Sequence, residues 1–363
     1  MERITFMKQN YIVYTGSYAA AEEAGIHGYR LTRGEGGEPR LTEAFAAAGV
    51  SNPSYLAVSS DGRFLYSVME DMTYEGRSGG GVAAFRIHSD SLTLLNTRGT
   101  EGTLPCHLLP DEKRGFLYAA NYMSGSVSMF RLNADGSVGE LCDLKQHYGH
   151  GPNEERQEGP HVHYVGYSAD EAGLWCADLG IDRIRYYRID EENGKLVPDE
   201  KHDMIFPEGT GPRHFVLNRE RRELMYVVSE LSSELFVMEC GAEENRILQR
   251  VSTLPESMEN NTCAAVHLSE DGRYLCASNR GHDSIAVYAV DAGTGLLTLA
   301  GRAGTKGKTP RDFCLCGDIL LSANQDSHTI TMLHFDEENG TITDMNREIS
   351  CASPVCLVGV PEP

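Results

Sequence analysis

The stretch GPRHFVLNRERRELMYVVSELSSELFVMEC, residues 211–240, decides the fold. It opens on a Gly-Pro turn, runs through apolar residues, turns across a charged segment, resumes as MYVVSEL, and passes a Ser-rich turn into a third apolar run. Val, Phe and Tyr dominate these runs, and residues of that shape favour pleated, half-buried strands. The same order of turns and runs recurs along the chain: NPSYLAVSSDGRFLYSVME from Asn52, LPCHLLPDEKRGFLYAANYMSGSVSMFRL from Leu104, GPHVHYVGYSADEAGLWCADLGIDRIRYYRI from Gly159, NTCAAVHLSEDGRYLCASNRGHDSIAVYAV from Asn261 and TPRDFCLCGDILLSANQDSHTITMLHF from Thr309.

The markers Pro53, Pro105, Pro160, Pro212, Thr262, Pro310 and Pro354 lie 52, 55, 52, 50, 48 and 44 residues apart, near the length of a four-stranded propeller blade. Seven markers predict an all-β, seven-bladed β-propeller of four-stranded blades. Asp61-Gly62, Asp135-Gly136 and Asp271-Gly272 supply the dipeptide that tolerates tight hairpin turns. The ends complete the ring: SPVCLVGV (353–360) matches only a first strand, and YIVYTGSY (11–18) only a second. The last blade is therefore expected to take its inner strand from the C-terminus and its outer strands from the N-terminus. Residues 1–363 read as one domain, with 1–10 as a poorly ordered N-terminal extension.

Composition agrees with one folded unit: 40% of residues are hydrophobic and 23% charged. Net charge is −21, and no dense Lys/Arg run is present, which argues against nucleic acid and anionic membranes as partners. The start of the chain lacks the apolar core of a signal peptide and no segment is long and apolar enough to span a bilayer, so a cytoplasmic protein, monomeric or weakly dimeric, is the expectation. The ten cysteines form no CxxC pair and read as reduced, buried hydrophobes.

In a blade that meanders outward, the start of the first strand and the end of the second share one face. First strands begin with Tyr55, His107, His161 and His163, Arg213 and His214, and Arg311 and Asp312; second strands end at Thr15, Glu70, Asn121, Asp178, Glu230, Asn279 with Arg280, and Asn324. These residues are expected to ring one mouth of the channel and face each other. A cationic mouth in an acidic chain suits a small anion held by guanidinium groups. The two longest inserts, 74–81 and 146–159, are expected to serve function, and the second carries Arg156.

GPNEERQEGPHVHYV, CADLGIDRIRYY, GTGPRHFVL, YVVSEL, ASNRGHDSIAVY and LLSANQ resemble the successive blade motifs of the propeller-type 6-phosphogluconolactonases, a family that also includes a fungal carboxymuconate lactonising enzyme. The similarity runs from about Tyr11 to Val360; SVMED at 67–71 keeps the Glu of the family's more usual VNE, and the Gly-rich loop after it departs from the pattern. The resemblance implies hydrolysis of a sugar lactone to its acid, in the best-known case 6-phosphogluconolactone of the oxidative pentose phosphate pathway. By motif it implies a catalytic group of His161 or His163, Arg213, Glu230 and Arg280.

Lactone hydrolysis needs an activated water, donors for the developing oxyanion, and a proton for the departing alkoxide. His161 or Glu230 is the first candidate base, with His163 open beside His161. Arg213 and Arg280 are candidate oxyanion donors, and Arg311 and Arg156 candidate phosphate ligands. Glu70, His107, Asn121, Asp178, His214, Asn279 and Asn324 complete the expected substrate site. No GxSxG elbow is present, which favours direct attack by water. His161-Val162-His163 invites a metal, but no third ligand has matching spacing, so neither metal nor cofactor is expected. Two other readings stay open: a lactone that is unphosphorylated or a muconate, and a propeller that only binds partners.

Overall fold

The structure, a computed structural model, describes residues 9–362 except 35, 242, 243, 257 and 259. Seven four-stranded antiparallel sheets follow one another round a ring. Blade one comprises Leu56–Val58, Phe64–Met69, Gly81–Ile87 and Leu92–Gly99. The inner strands of blades two to six are Pro105–Asp111, Val162–Tyr167, Pro212–Leu217, Thr262–Leu268 and Pro310–Cys316. Each meanders outward through three more strands, and blade three adds a short fifth, Met204–Ile205.

The seventh blade closes the ring as its sequence pattern predicts. Pro354–Pro361, from the C-terminus, is innermost and pairs with Tyr11–Ser17, which leads to Ile26–Arg33 and Pro39–Ala47. The Glu362 N–H donates to Asn10 O at 2.9 Å, so the pairing continues just past the strand ends. Of the expected N-terminal extension, residues 1–8 lie outside the described residues.

Alternation along each strand sends apolar side chains to both faces, and each face can be covered only by the next blade. The result is seven core clusters, one at every blade junction: Phe116, Tyr118 and Val162 between blades two and three, for example, and Val13, Leu321 and Leu357 between blades six and seven. Tyr66, Tyr118 and Tyr226, each the third residue of a second strand, and Tyr288 of a third strand are fully buried. The inserts behave differently. Residues 73–78 form a small hairpin whose Tyr74 hydroxyl lies 2.7 Å from Thr97 Oγ1, whereas 146–159 folds back over the channel mouth. Among the described residues, no helix is long and apolar enough to cross a membrane.

Ring closure is testable. Deleting residues 354–363 removes Val355, Cys356 and Leu357, each under 5% exposed. At roughly 1.5–3 kcal/mol for each buried side chain, the loss is comparable with the whole margin of a typical domain. The truncated chain should lose its cooperative thermal transition by near-UV circular dichroism; an unchanged unfolding midpoint would contradict the closure.

Candidate active site

The polar residues at the mouth are placed by a device that repeats from blade to blade. In six blades the pairing of first and second strands skips on the inner strand near its start: at Cys106, His163, Arg213, Ala264 with Ala265, Arg311 and Val355. A bulge inserts an extra residue and re-aims its side chain. Cys106, His163, Arg213, Arg311 and Val355 all line one small cavity at the end of the channel, together with Ser54, Tyr55, Glu70, His214 and Asp312. Leu104, Thr309 and Ser353 ahead of their bulges, and Asn52 at the matching place in blade one, adopt left-handed backbone with φ of 50°, 58°, 40° and 43°. Such conformations are costly for non-glycine residues and gather where function demands a particular backbone.

The carbonyls of those four residues accept the N–H of the residue just past the second strand: Glu70 at 3.1 Å, Tyr122 at 2.9 Å, Gln325 at 3.1 Å and Tyr18 at 3.3 Å. Gly211 O and His161 O do the same for Glu230 and Leu179. Two positions, not one, therefore stand at the exit of each second strand. At these exits Ser17, Met69, Asn121, Asp178, Ser229, Asn279 and Asn324 turn into the blade, and of the residues that follow them Tyr18, Glu70, Tyr122, Glu230 and Arg280 turn toward the mouth. This corrects the expectation that all the polar exit residues face the channel, because one step along a strand reverses the side chain.

Glu230 is the centre of the polar network. Its carboxylate, 3% exposed, accepts Arg213 Nε at 2.8 Å, lies 2.8 Å from Arg280 Nη2, and pairs through its other oxygen with Arg156 from the 146–159 insert. Burial pushes its carboxyl up, but Arg280 and Arg213 foremost outweigh this and hold it well below the usual carboxylate range. Burial, then Arg280, pushes the Arg213 guanidinium down to about 10. Arg213 also donates to Ala264 O at 2.8 Å, and Arg280 to Cys263 O at 2.9 Å. Among the described residues, Nη2 of Arg213 and Nη1 of Arg280 remain unspent.

Across the cavity, Arg311 lies with its guanidinium 5.4 Å from the centre of the Tyr18 ring. Glu70 beside it accepts the Tyr18 hydroxyl at 3.0 and 3.1 Å and the Ser54 hydroxyl. Asp312 is occupied by His267 Nε2 at 3.0 Å and by the Leu357 N–H at 2.9 Å, which ties the site to the closing strand.

The histidines divide into two kinds. His107 is packed between Tyr55 and Tyr164, with ring centroids 4.3 and 4.0 Å away, and its Nδ1 accepts the Val165 N–H at 3.3 Å. His163 lies 5.1 Å from His214 between ring centres, and its Nδ1 is 3.7 Å from Cys106 Sγ. Burial, then the charge of Arg213, pushes His107, His163 and His214 well below the usual imidazole range, so all three are neutral near pH 7. His161 differs: it stacks on Tyr122, its Nδ1 is 3.0 Å from Tyr122 O, and its Nε2 is 3.2 Å from a Glu158 carboxylate oxygen. A ring with acceptors at both nitrogens is placed to donate.

Of the residues expected at the site, His163, Arg213, Glu230, Arg280, Glu70, His214, Arg311 and Arg156 meet at the mouth, with His107 against His214 and His161 joined to Arg156 through Tyr122. Asn121 bonds to Ser126 and Ser128, Asn279 to Thr253, and Asn324 to Thr331, all inside or between blades. Asp178 supports the site from behind, accepting the His161 N–H at 2.7 Å, the Gly180 N–H at 3.0 Å and His147 Nδ1 at 2.7 Å. Insert 146–159 contributes Arg156 and Glu158, while the 73–78 hairpin contributes nothing to this cavity. Sequence reasoning missed Tyr18, Ser54, Tyr122 and Tyr164. Only Tyr122, directly after the polar Asn121, carried a signal. Among the described residues, no three His, Cys, Asp or Glu side chains converge as a metal site.

Fold and site define a propeller whose chemistry-bearing side chains gather in a pocket at one channel mouth, not on an outer face. The chain belongs to the lactonase family of seven-bladed β-propellers: the family described as "Lactonase, 7-bladed beta-propeller" matches residues 12–359. It is 35% identical over 354 residues to a 6-phosphogluconolactonase of Bacillus subtilis, covering 96% of this chain and 97% of that one. A 6-phosphogluconolactonase of Formosa agariphila is 29% identical, covering 93% and 96%. The solved structure of a periplasmic gluconolactonase from Pseudomonas aeruginosa superposes with a TM-score of 0.89 at 29% identity, covering 98% of this chain and all of that one.

The neutral histidines predict a pH dependence of stability. Their folded pKa lies below the unfolded value of about 6.5, so the unfolded chain binds more protons and stability is lost as pH falls below about 6.5. Each such group steepens the slope by up to about 1.4 kcal/mol per pH unit. His107→Gln keeps an acceptor for Val165 while removing the titration. Urea unfolding between pH 7 and 5 should show a shallower loss in that variant; parallel curves would refute the assignment.

Proposed function

We propose that this protein hydrolyses a phosphorylated sugar lactone, 6-phosphogluconolactone, to its acid by direct attack of water at the channel mouth. The observation that carries the reading is the arginine pair: Arg213 and Arg280 are held by one shared, ionised carboxylate, each keeps an Nη group unspent, and the neutral imidazole of His163 lines the same cavity as Arg213. Donors fixed in this way need no reorganisation when charge develops on the lactone carbonyl oxygen, and removing one such donor typically costs about 10²–10³ in rate.

In this reading His163 takes a proton from water as the water oxygen bonds to the carbonyl carbon. The tetrahedral oxyanion rests on Arg213 and Arg280. Its collapse breaks the ring C–O bond, and the departing oxygen is protonated from His161 or from the imidazolium of His163, leaving the open hydroxy acid. Glu230, tied to three guanidinium groups, is a poor proton acceptor and acts as a positioning residue. The Cys106 thiol, pushed up by burial, is a weak nucleophile, which favours water over an acyl-enzyme. The names of the Bacillus and Formosa relatives support the phosphorylated substrate. Ten free cysteines suit a reducing compartment, and we place the protein in the cytoplasm.

The test is the rate of 6-phosphogluconolactone hydrolysis against the spontaneous rate, with unphosphorylated gluconolactone as comparator. Arg280→Ala and Arg213→Ala should each lower kcat by about 10²–10³ while the protein stays folded by circular dichroism. Glu230→Gln should lower kcat too and destabilise the fold by about 3–5 kcal/mol, since it leaves buried guanidinium groups without their carboxylate. A folded wild type that accelerates neither lactone would refute the reading in favour of a binding propeller.

A further inference from the structure

The four arginines at the mouth are not equivalent. Arg156, Arg213 and Arg280 converge on Glu230. Arg311 does not: among the described residues, no acceptor lies within hydrogen-bond or ion-pair distance of its guanidinium, although the side chain is largely enclosed and lines the cavity. Its contact is the face of Tyr18, an interaction that holds a cation without neutralising it or using its N–H donors. The nearby carboxylate, Glu70, is already engaged by the hydroxyls of Tyr18 and Ser54. Tyr18 thus both carries the guanidinium on its ring and draws Glu70 to its hydroxyl.

Position sharpens the point. Arg311 is the bulge residue of blade six, flanked by Tyr18 of blade seven and Ser54 and Glu70 of blade one, whereas the Glu230 cluster belongs to blades four and five and the 146–159 insert. Arg311, with Ser54 and Glu70, lines one small cavity together with Arg213 of the Glu230 cluster. An enclosed cation with five unspent donors is complete only with an anion of forked geometry, a phosphate or carboxylate.

We infer that Arg311 is the receptor for an oxyanion carried by the substrate at a distance from the reacting carbonyl, and so sets the preference for a phosphorylated over an uncharged sugar lactone. This deepens the lactonase reading and rests on it for the identity of the substrate. Arg213 and Arg280 act on the carbonyl; Arg311 acts on the far substituent, so its contribution is uniform binding and belongs in KM.

Two measurements on the full chain test this separately. The first compares kcat and KM of wild type, Arg311→Gln and Arg311→Lys on 6-phosphogluconolactone and on gluconolactone. Arg311→Gln should raise KM for the phosphorylated lactone by roughly tenfold or more, with kcat and the rate on gluconolactone changed by less than about threefold, and Arg311→Lys should recover part of the loss. Equal losses on both lactones, or a loss confined to kcat, would overturn the assignment. The second follows the unfolding temperature with added inorganic phosphate and, as a carboxylate probe, gluconate. Phosphate should stabilise wild type and not Arg311→Gln; equal stabilisation of both proteins, or of neither, overturns the subsite. If gluconate replaces phosphate in this pattern, the oxyanion is a carboxylate and the phosphate preference falls. A wild type stabilised by phosphate through Arg311 that hydrolyses neither lactone would keep the subsite and remove the lactonase reading.

Discussion

Every blade of this protein is apolar on both faces, and that constraint governs the rest. A single four-stranded sheet of this kind has no stable existence in water, because each face needs a neighbour to cover it. Seven sheets in a row would still leave two uncovered faces. The ring removes them, and the inner strand supplied by the C-terminus is the element that makes the last junction. Cys356 buries itself between the last and first blades, Leu357 between blades six and seven, and the Leu357 N–H reaches Asp312 in blade six. Closure and the pocket are therefore one structure.

The same ring crowds seven inner strands around one axis, where regular pairing would present alternate residues in a fixed rhythm. The bulges break that rhythm at one end. They let Cys106, His163, Arg213, Arg311 and Val355 turn inward together, and the left-handed residues ahead of them bring a carbonyl to the N–H of the exit residue. The cost of four non-glycine residues at positive φ is met by hydrogen bonds repeated in blade after blade. Function has been gathered where the strand pattern is locally irregular, and the regular remainder holds that irregularity in place.

Electrostatics follows from burial. In a chain of net charge −21, the pocket nonetheless concentrates arginine. Three guanidinium groups are held by one carboxylate that stays ionised because of them, and burial together with the charge of Arg213 keeps the adjoining imidazoles neutral. Neutral histidine, ionised glutamate and charged arginine are thus mutually dependent states. Removing any member shifts the others, and single substitutions here are not expected to add.

The architecture is legible in the amino-acid order alone, since a repeat of about fifty residues with strand-forming runs and turn dipeptides has few other solutions, and the unmatched strands at the two ends locate the closure. The same order also marks which blades carry the chemistry, because Arg213, Arg280, Arg311 and the paired histidines sit at recognisable places in the repeat. Which of the polar exit residues face the pocket depends on the three-dimensional packing of the blades. Asn121, Asn279 and Asn324 look equivalent to Glu230 in the sequence, but they stand one residue earlier in the blade register and point into the blade. Tyr18, Ser54 and Tyr164 were invisible as site residues for a related reason: their roles come from neighbours on other blades, tens or hundreds of residues away. The partnership of three arginines with Glu230, and the exclusion of Arg311 from it, likewise depends on which bulges face which exits across the channel, and spacing along the chain does not encode that distance.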